Sequence, residues 1–421
     1  MNNIKIESLN INGEGQSFVD GKKLCVKGVL PNEVVDVEIV EQKNNFIKGV
    51  LKNICTPSHI RICPKCPYVG DCGGCDFMFV NSQNGLDIKK KVMKEYFKDL
   101  FSGEIISNAS PNNFEFRNKV AFAVCGDKIG LRKPNSHDIC EISNCLVANE
   151  NINIVLEIAK KWIKNAKNCQ ICHIVVRSIG EHVCICVVAR QKFDYKILNG
   201  FIEELKNVFG NNFGVFASIN SSKNKIFGQK CEHIYGEEKI PLFRFGIETY
   251  IRPMSFFQIN DDVAAKMYSK VLEEISNEVV IEGYSGAGLL SCIMAKRAKE
   301  VYSVEIEKDA TKDANDAKKL NNLSNLCNIN GDCDREMEKL LLQNKNATVI
   351  LDPPRSGVGR HTLDVMLHTL PEKIIMISCN PYTLKQNIVF LSKNYDIKSF
   401  EIFDIFPQTF HIESLVVLKR K

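Results

Sequence analysis

The chain has 421 residues, of which 44% are apolar, 25% charged and 8% aromatic, with a formal net charge of +5. These globular values exclude wholesale disorder, and the length exceeds one ordinary core, so two or three domains are expected. The modest positive balance permits an anionic partner without requiring one, and no apolar run is long enough to span a bilayer.

Met1-Asn2-Asn3-Ile4-Lys5 lacks the apolar stretch of a secretory signal, so a cytoplasmic protein with no membrane partner is expected. The 18 cysteines would stay reduced there. Many read as small buried hydrophobes, as Cys184 and Cys186 do in the apolar run His173 to Val188. Residues 4 to 54 read as short strands broken by turns at Asn12 to Gly15, Asp20-Gly21 and Pro31 to Glu33, the pattern of a small β-barrel. Residues 55 to 80 are rich in Cys, Pro and Gly and have little periodicity, which suggests a segment ordered by a metal rather than by a core. Cys63, Cys66, Cys72 and Cys75 form C-x2-C-x5-C-x2-C. Spacing alone admits a zinc site, although the middle interval is short for a zinc ribbon. A basic helix, Leu86 to Phe101, follows; its lysines Lys89, Lys90, Lys91, Lys94 and Lys98 read as a solvated face.

Residues 110 to 250 mix strands at Lys119 to Val124, His173 to Arg177 and His182 to Ala189 with a helix at Asn151 to Ala166. From residue 251 the pattern is regular. Buried-type strands at Val279 to Ile281, Val301 to Glu305, Thr348 to Leu351 and Ile374 to Ser378 alternate with helices, which predicts a doubly wound, mostly parallel sheet.

Within that sheet, Glu282-Gly283-Tyr284-Ser285-Gly286-Ala287-Gly288 is a strand end, a glycine-rich turn and a helix start. The glycines admit a ligand close to the backbone, and the helix N-terminus favours a negative group. Glu305, about twenty residues on at the next strand end, is expected to grip ribose hydroxyls. Three more segments stand at or after strand ends. Asp352-Pro353-Pro354-Arg355 sets a carboxylate on a rigid turn. Ser378-Cys379-Asn380-Pro381 offers a thiolate nucleophile. Phe406-Pro407-Gln408-Thr409-Phe410-His411-Ile412-Glu413 offers His411 and, as a general base, Glu413.

These stretches, with Ser255-Phe256-Phe257-Gln258-Ile259-Asn260, make the chain resemble the RNA uridine-C5 methyltransferase family over almost its whole length. The resemblance implies S-adenosyl-L-methionine (SAM) as cofactor, Cys379 as nucleophile and Glu413 as base. It implies Gln258, Tyr284, Glu305 and Asp352 as cofactor-pocket residues. Glu282 stands where the family usually has Asp, and Ser285 where Cys is common. The chemistry is coherent. A thiolate adding to C6 of uracil makes C5 nucleophilic, C5 takes the methyl group, and a base then removes the C5 proton so that the thiol can leave.

The same resemblance extends to the flanks. Gly13-Glu14-Gly15 and Gly28 to Glu33 are similar to a TRAM domain, an OB-like β-barrel linked to RNA binding. In similar family members C-x5-C-x2-C and a distant Cys hold a 4Fe-4S cluster, which selects Cys66, Cys72, Cys75 and Cys145 and leaves Cys140 as packing. The expected organisation is therefore a TRAM-like β-barrel at 1–55, a central α/β domain with the cluster at 56–250, and a Rossmann-like SAM methyltransferase domain at 251–421. The barrel and cluster resemble the ribosomal-RNA branch, so a uridine in 23S rRNA is the expected substrate and a monomer the expected state. The alternatives are a tRNA uridine-C5 methyltransferase, a DNA cytosine-C5 methyltransferase and a non-catalytic iron–sulfur RNA-binding protein. In the DNA enzymes Pro precedes the Cys; here Ser378 does.

Overall fold

The computed structural model describes residues 1–166, 170–222 and 225–421. The first 56 residues form one six-stranded sheet. Ile4–Lys5 pairs with Val34 and Val35 at one edge, and Ser8–Leu9 pairs with Gly15 and Gln16 at the other. Only Ile6 and Glu7 separate the two strands, and their amides donate to the Glu33 and Gln16 carbonyls at 2.8 and 2.9 Å. The edges therefore meet through this segment and the sheet closes as a small barrel. Ile6, Leu24, Val26, Val35, Val37 and Ile47 fill it. Glu33, fully buried, accepts from Arg61 Nη2 at 2.8 Å and ties the barrel to the cysteine-rich segment.

The central region is a seven-stranded sheet. Lys119–Cys125, Ile171–Ile179 and His182–Ala189 lie side by side in it, close to their expected bounds. The helix Glu150–Ile163 starts where the Asn149 side chain accepts from the Ile152 amide. With Asn199–Phe209 it covers one face of the sheet, Trp162 stacking on Phe201 at 4.9 Å.

The basic helix runs over Ser82–Phe97, four residues earlier than expected at each end, because Asn81 caps it by accepting from the Asn84 amide at 2.8 Å. Its lysine face is only partly solvated. Lys89 is 1% exposed and its Nζ lies 2.6 Å from Asp404. Leu86, Met93 and Phe97 join the core of the C-terminal sheet, and Ile105–Asn108 extends that sheet by pairing parallel to Phe400–Phe403. Two elements from the first quarter of the chain are thus built onto the last.

The C-terminal sheet has eight strands. Its order is Leu326–Asn330, Glu300–Glu305, Val279–Gly283, Thr348–Leu351, Lys373–Ser378, Glu413–Arg420, Tyr395–Phe403 and Ile105–Asn108. The first five are mutually parallel, and Glu413–Arg420 enters antiparallel between Lys373–Ser378 and Tyr395–Phe403. Strand order reverses between Val279–Gly283 and Thr348–Leu351. The crevice beyond those carboxyl ends is where an open α/β sheet takes its ligand. No helix among the described residues is long and apolar enough to cross a membrane.

Candidate active site

The glycine-rich turn opens at this reversal. Tyr284 adopts φ +64°, a left-handed conformation that a bulky side chain reaches only under strain, and its hydroxyl accepts from the Gly359 amide at 3.3 Å. Gly288 is required for a second reason: at φ +77° a Cβ would stand 2.5 Å from the Ala314 Cβ. Gln258, Tyr284 and Asp352 line one cavity of about 50 Å³ with Glu282, Tyr268 and the turn backbone. The central domain holds the Gln258 stretch in place. Asn118 Nδ2 donates to the Gln258 carbonyl at 2.9 Å, and the buried Arg177 donates from Nη2 to the Ser255 carbonyl at 2.6 Å.

The pocket holds two carboxyls, Glu282 and Asp352. Burial pushes Glu282 up to about 8; the hydrogen bond from Ser291 opposes the rise, and Asp352 and Glu305 add to it. Burial likewise pushes Asp352 up to about 7. Glu305 sits at the expected strand end but on a different cavity, of about 750 Å³, which it shares with Gly286, Ser255 and Lys119. Its two carboxylate oxygens accept from the Gly286 and Glu307 amides, both at 2.8 Å. The acid read as a ribose grip is thus engaged with the turn itself.

Cys379 directly follows the strand Lys373–Ser378 and lines a neighbouring cavity of about 410 Å³. Asn380 caps the next helix by accepting from the Tyr382 amide at 3.1 Å, and its Nδ2 donates to the Arg355 carbonyl at 2.8 Å. That bond locks the cysteine turn to the Asp-Pro-Pro-Arg turn. Arg355 lines the same cavity. Burial pushes the Cys379 thiol up and Glu413 pushes the same way, while Arg355 pulls it down. Glu413, 4% exposed, is the first residue of its strand and pairs with Phe403. Burial raises it well above the usual carboxylate range, Asp352 adds to the rise and Arg355 opposes it. His411 lines the Cys379 cavity and is exposed.

Several wall residues are not among the site residues the sequence points to. Asn12, Glu14 and Lys27 come from the barrel, Asp76 from the cysteine-rich segment and Lys89 from the basic helix. Arg355 could have been found, since it stands inside a motif already singled out. Tyr268 could not: it is a helix residue brought to the cavity of Asp352 and Glu282 by packing alone.

The cysteines of the central region meet at a third cavity, of about 190 Å³, lined by Cys66, Cys72, Cys75 and Cys145 among Met78, Val120, Leu131 and Ile142. Burial pushes Cys75 up to about 12, and Cys145, Cys72 and Cys66 push it the same way. Cys72 Sγ accepts from the Gly74 amide at 3.3 Å. Cys63 is exposed and lies off the cavity, and Cys140 is buried in the core of the central sheet. Among the described residues no three His, Cys, Asp or Glu side chains are placed to hold one metal ion. All four of these cysteines line the same cavity.

Comparison with known proteins agrees with this arrangement. The family described as tRNA (Uracil-5-)-methyltransferase matches residues 81–421. An uncharacterized RNA methyltransferase of Fusobacterium nucleatum is 32% identical, over 99% of this chain and 95% of its own. One from Caldanaerobacter subterraneus subsp. tengcongensis is also 32% identical, over 99% and 97%. The crystal structure of Pyrococcus abyssi tRNA (uracil-54, C5)-methyltransferase in complex with S-adenosyl-L-homocysteine shares the fold at a TM-score of 0.79 and 23% identity, over 99% of this chain and all of that one. With the match running through the glycine turn, the Asp-Pro-Pro-Arg turn, Cys379 and Glu413, the chain belongs to the tRNA (uracil-5-)-methyltransferase family.

Proposed function

We propose that this protein transfers a methyl group from SAM to C5 of a uridine in RNA, through a covalent bond between Cys379 Sγ and C6. The observation that carries the reading is the meeting of Cys379 and Arg355, which follow the carboxyl ends of Lys373–Ser378 and Thr348–Leu351, with the buried Glu413 at the amino end of the antiparallel strand Glu413–Arg420, beside a pocket lined by Gln258, Tyr284 and Asp352. SAM supplies an electrophilic methyl group. Gln258, Tyr284 and Asp352 orient it, and Glu305 shapes the turn above it. Arg355 favours the Cys379 thiolate, which adds to C6. C5 takes the methyl group as its bond to the sulfonium sulfur breaks and S-adenosyl-L-homocysteine leaves, and Glu413 then accepts the C5 proton. The electrons of that C–H bond re-form the C5–C6 double bond and the Cys379 thiolate leaves. The base must stand free of its stack to reach Cys379, so the target is an unpaired or flipped nucleotide.

The cysteine cavity fits a 4Fe-4S cluster held by Cys66, Cys72, Cys75 and Cys145. A lone zinc would need all its sulfurs about 2.3 Å from one point, whereas a cluster takes four thiolates around an enclosed, mostly apolar space, with amides bonded to sulfur. The cluster would serve as a structural brace; no step of the reaction runs through it. Reduced thiols of this kind suit the cytoplasm, and no part of the reading needs a second subunit.

The ribosomal reading, a uridine of 23S rRNA, rests on the similarity of the barrel and the cysteine set to the ribosomal-RNA branch. One observation favours a tRNA instead: the Pyrococcus tRNA enzyme covers this chain from end to end, so neither the barrel nor the central region is peculiar to ribosomal enzymes. The test is incubation with SAM and RNA carrying 5-fluorouridine, whose fluorine cannot leave as a proton. A SAM-dependent protein–RNA adduct, lost in Cys379→Ala, is expected. An adduct on a 23S fragment but not on tRNA supports the ribosomal reading, the converse selects tRNA, and no adduct on either overturns the covalent mechanism.

A further inference from the structure

The stretch Phe406–Ile412, which delivers the chain into Glu413, is held from outside. Lys89 Nζ donates to the Phe406 carbonyl at 3.4 Å, Gln408 Nε2 to the Asn113 carbonyl at 3.0 Å, and Asn260 Nδ2 to the Ile405 carbonyl at 3.3 Å. The anchor nearest Glu413 comes from the cysteine-rich segment. Asp76 Oδ1 accepts from the Phe410 amide at 3.0 Å, and the Phe77 amide donates to the Gln408 carbonyl at 3.1 Å. The Phe77 and Phe410 rings meet edge to face at 5.1 Å. On the other side of the Phe410 ring lies Gly13 of the barrel, where a Cβ would stand 2.4 Å from the ring. Phe410 is therefore clamped between two domains that lie far from it in sequence. Asp76 also lines the cavity of Cys379, whereas its neighbour Cys75 lines the cysteine cavity.

We infer that Asp76 is a positioning residue for proton removal: by holding the Phe410 amide it fixes the backbone that leads into Glu413, and so sets the carboxylate against the C5 proton of the bound nucleotide. The inference rests on the covalent reading above. Within that reading it assigns Asp76 to one step. Addition of Cys379 to C6 and methylation of C5 precede Glu413's task, so a displaced Glu413 leaves the C5 proton in place and the Cys379–C6 bond unbroken. A displacement of about 1 Å costs up to ~10²-fold in such a step.

The test uses the full-length protein with its iron content and SAM affinity measured, and RNA with ordinary uridine. Asp76→Ala is expected to lower kcat about tenfold or more, leave the KM for SAM unchanged and accumulate methylated protein–RNA adduct that the wild type does not build up. Asp76→Asn, whose amide oxygen still accepts from Phe410, is expected to restore turnover. If Asp76→Ala does not fold, Asp76→Ser, whose hydroxyl is too short to bridge the same gap, replaces it. Loss of activity without adduct, a rise in KM for RNA alone, or Asn behaving as Ala overturns the role of Asp76. Failure of the wild type to form a Cys379-dependent adduct on 5-fluorouridine RNA overturns the covalent reading, and Asp76's role falls with it.

Discussion

Two of this protein's cysteine-lined cavities adjoin along the chain, Cys75 lining one and Asp76 the other. Around Cys66, Cys72, Cys75 and Cys145 the walls are mostly apolar, and the buried Arg117 guanidinium is shared among Cys145, Cys75 and Cys72. Around Cys379 stand Arg355, Lys89, Lys27, Asp76 and Glu14, with Glu413 close by. The residue type is shared; the surroundings decide what the sulfur can do. Apolar walls disfavour free thiolates and leave them to a metal group, whereas a guanidinium beside a single thiol draws it toward the nucleophilic form.

The largest expected effect breaks the pair apart. Cys379→Ala should lower methyl transfer by ~10⁴-fold or more and leave bound iron and the melting temperature unchanged. Cys75→Ala should do the reverse first, releasing iron and lowering the melting temperature. Metal analysis and calorimetry on both variants check this, and iron loss in Cys379→Ala would mean the two cavities are not independent.

A smaller effect is expected for Arg355→Ala. Arg355 pulls the Cys379 thiol down against burial and Glu413, so its removal should raise the thiol further. Only the thiolate adds to C6, so the rate of adduct formation should climb at higher pH than in the wild type. At pH 7.5 it should be slower by about tenfold for each unit of displacement. A profile that does not move would remove Arg355 from the account of Cys379.

The smallest effect concerns stability. Glu282 is raised in the folded chain to about 8 from an ordinary value of 4.5. A carboxyl raised by folding stabilises fully below its unfolded value, and that contribution is lost as pH rises from there through about 8. Glu282→Gln keeps a neutral partner for Ser291. It should melt like the wild type near pH 4 and increasingly above it toward pH 9. A constant difference at all pH values would show that Glu282 does not titrate in this window.

Much of the catalytic half was legible, because strand ends in a doubly wound sheet converge by topology. Once Val279–Gly283, Thr348–Leu351 and Lys373–Ser378 are strands, the glycine turn, Asp352 and Cys379 must stand along one edge of the sheet, where they line two neighbouring cavities. The cysteine set was legible through resemblance, and the chain does bring Cys66, Cys72, Cys75 and Cys145 to one cavity. The basic helix was misjudged at Lys89, since a run of lysines gives no sign that one of them points inward to a carboxylate 315 positions away. Asp76, Asn12 and Lys27 were invisible for the same reason.

The sequence by itself determined the local structure and the reactive groups: periodicity marks the strands, glycines mark the turn, and a thiol and a carboxylate each stand in a recognisable stretch. Only the tertiary structure decided the company those groups keep. Burial and neighbouring charge act through space, so the rise of Glu282 and Asp352, the opposed pulls on Cys379 and the clamp on Phe410 depend on which distant segments pack together.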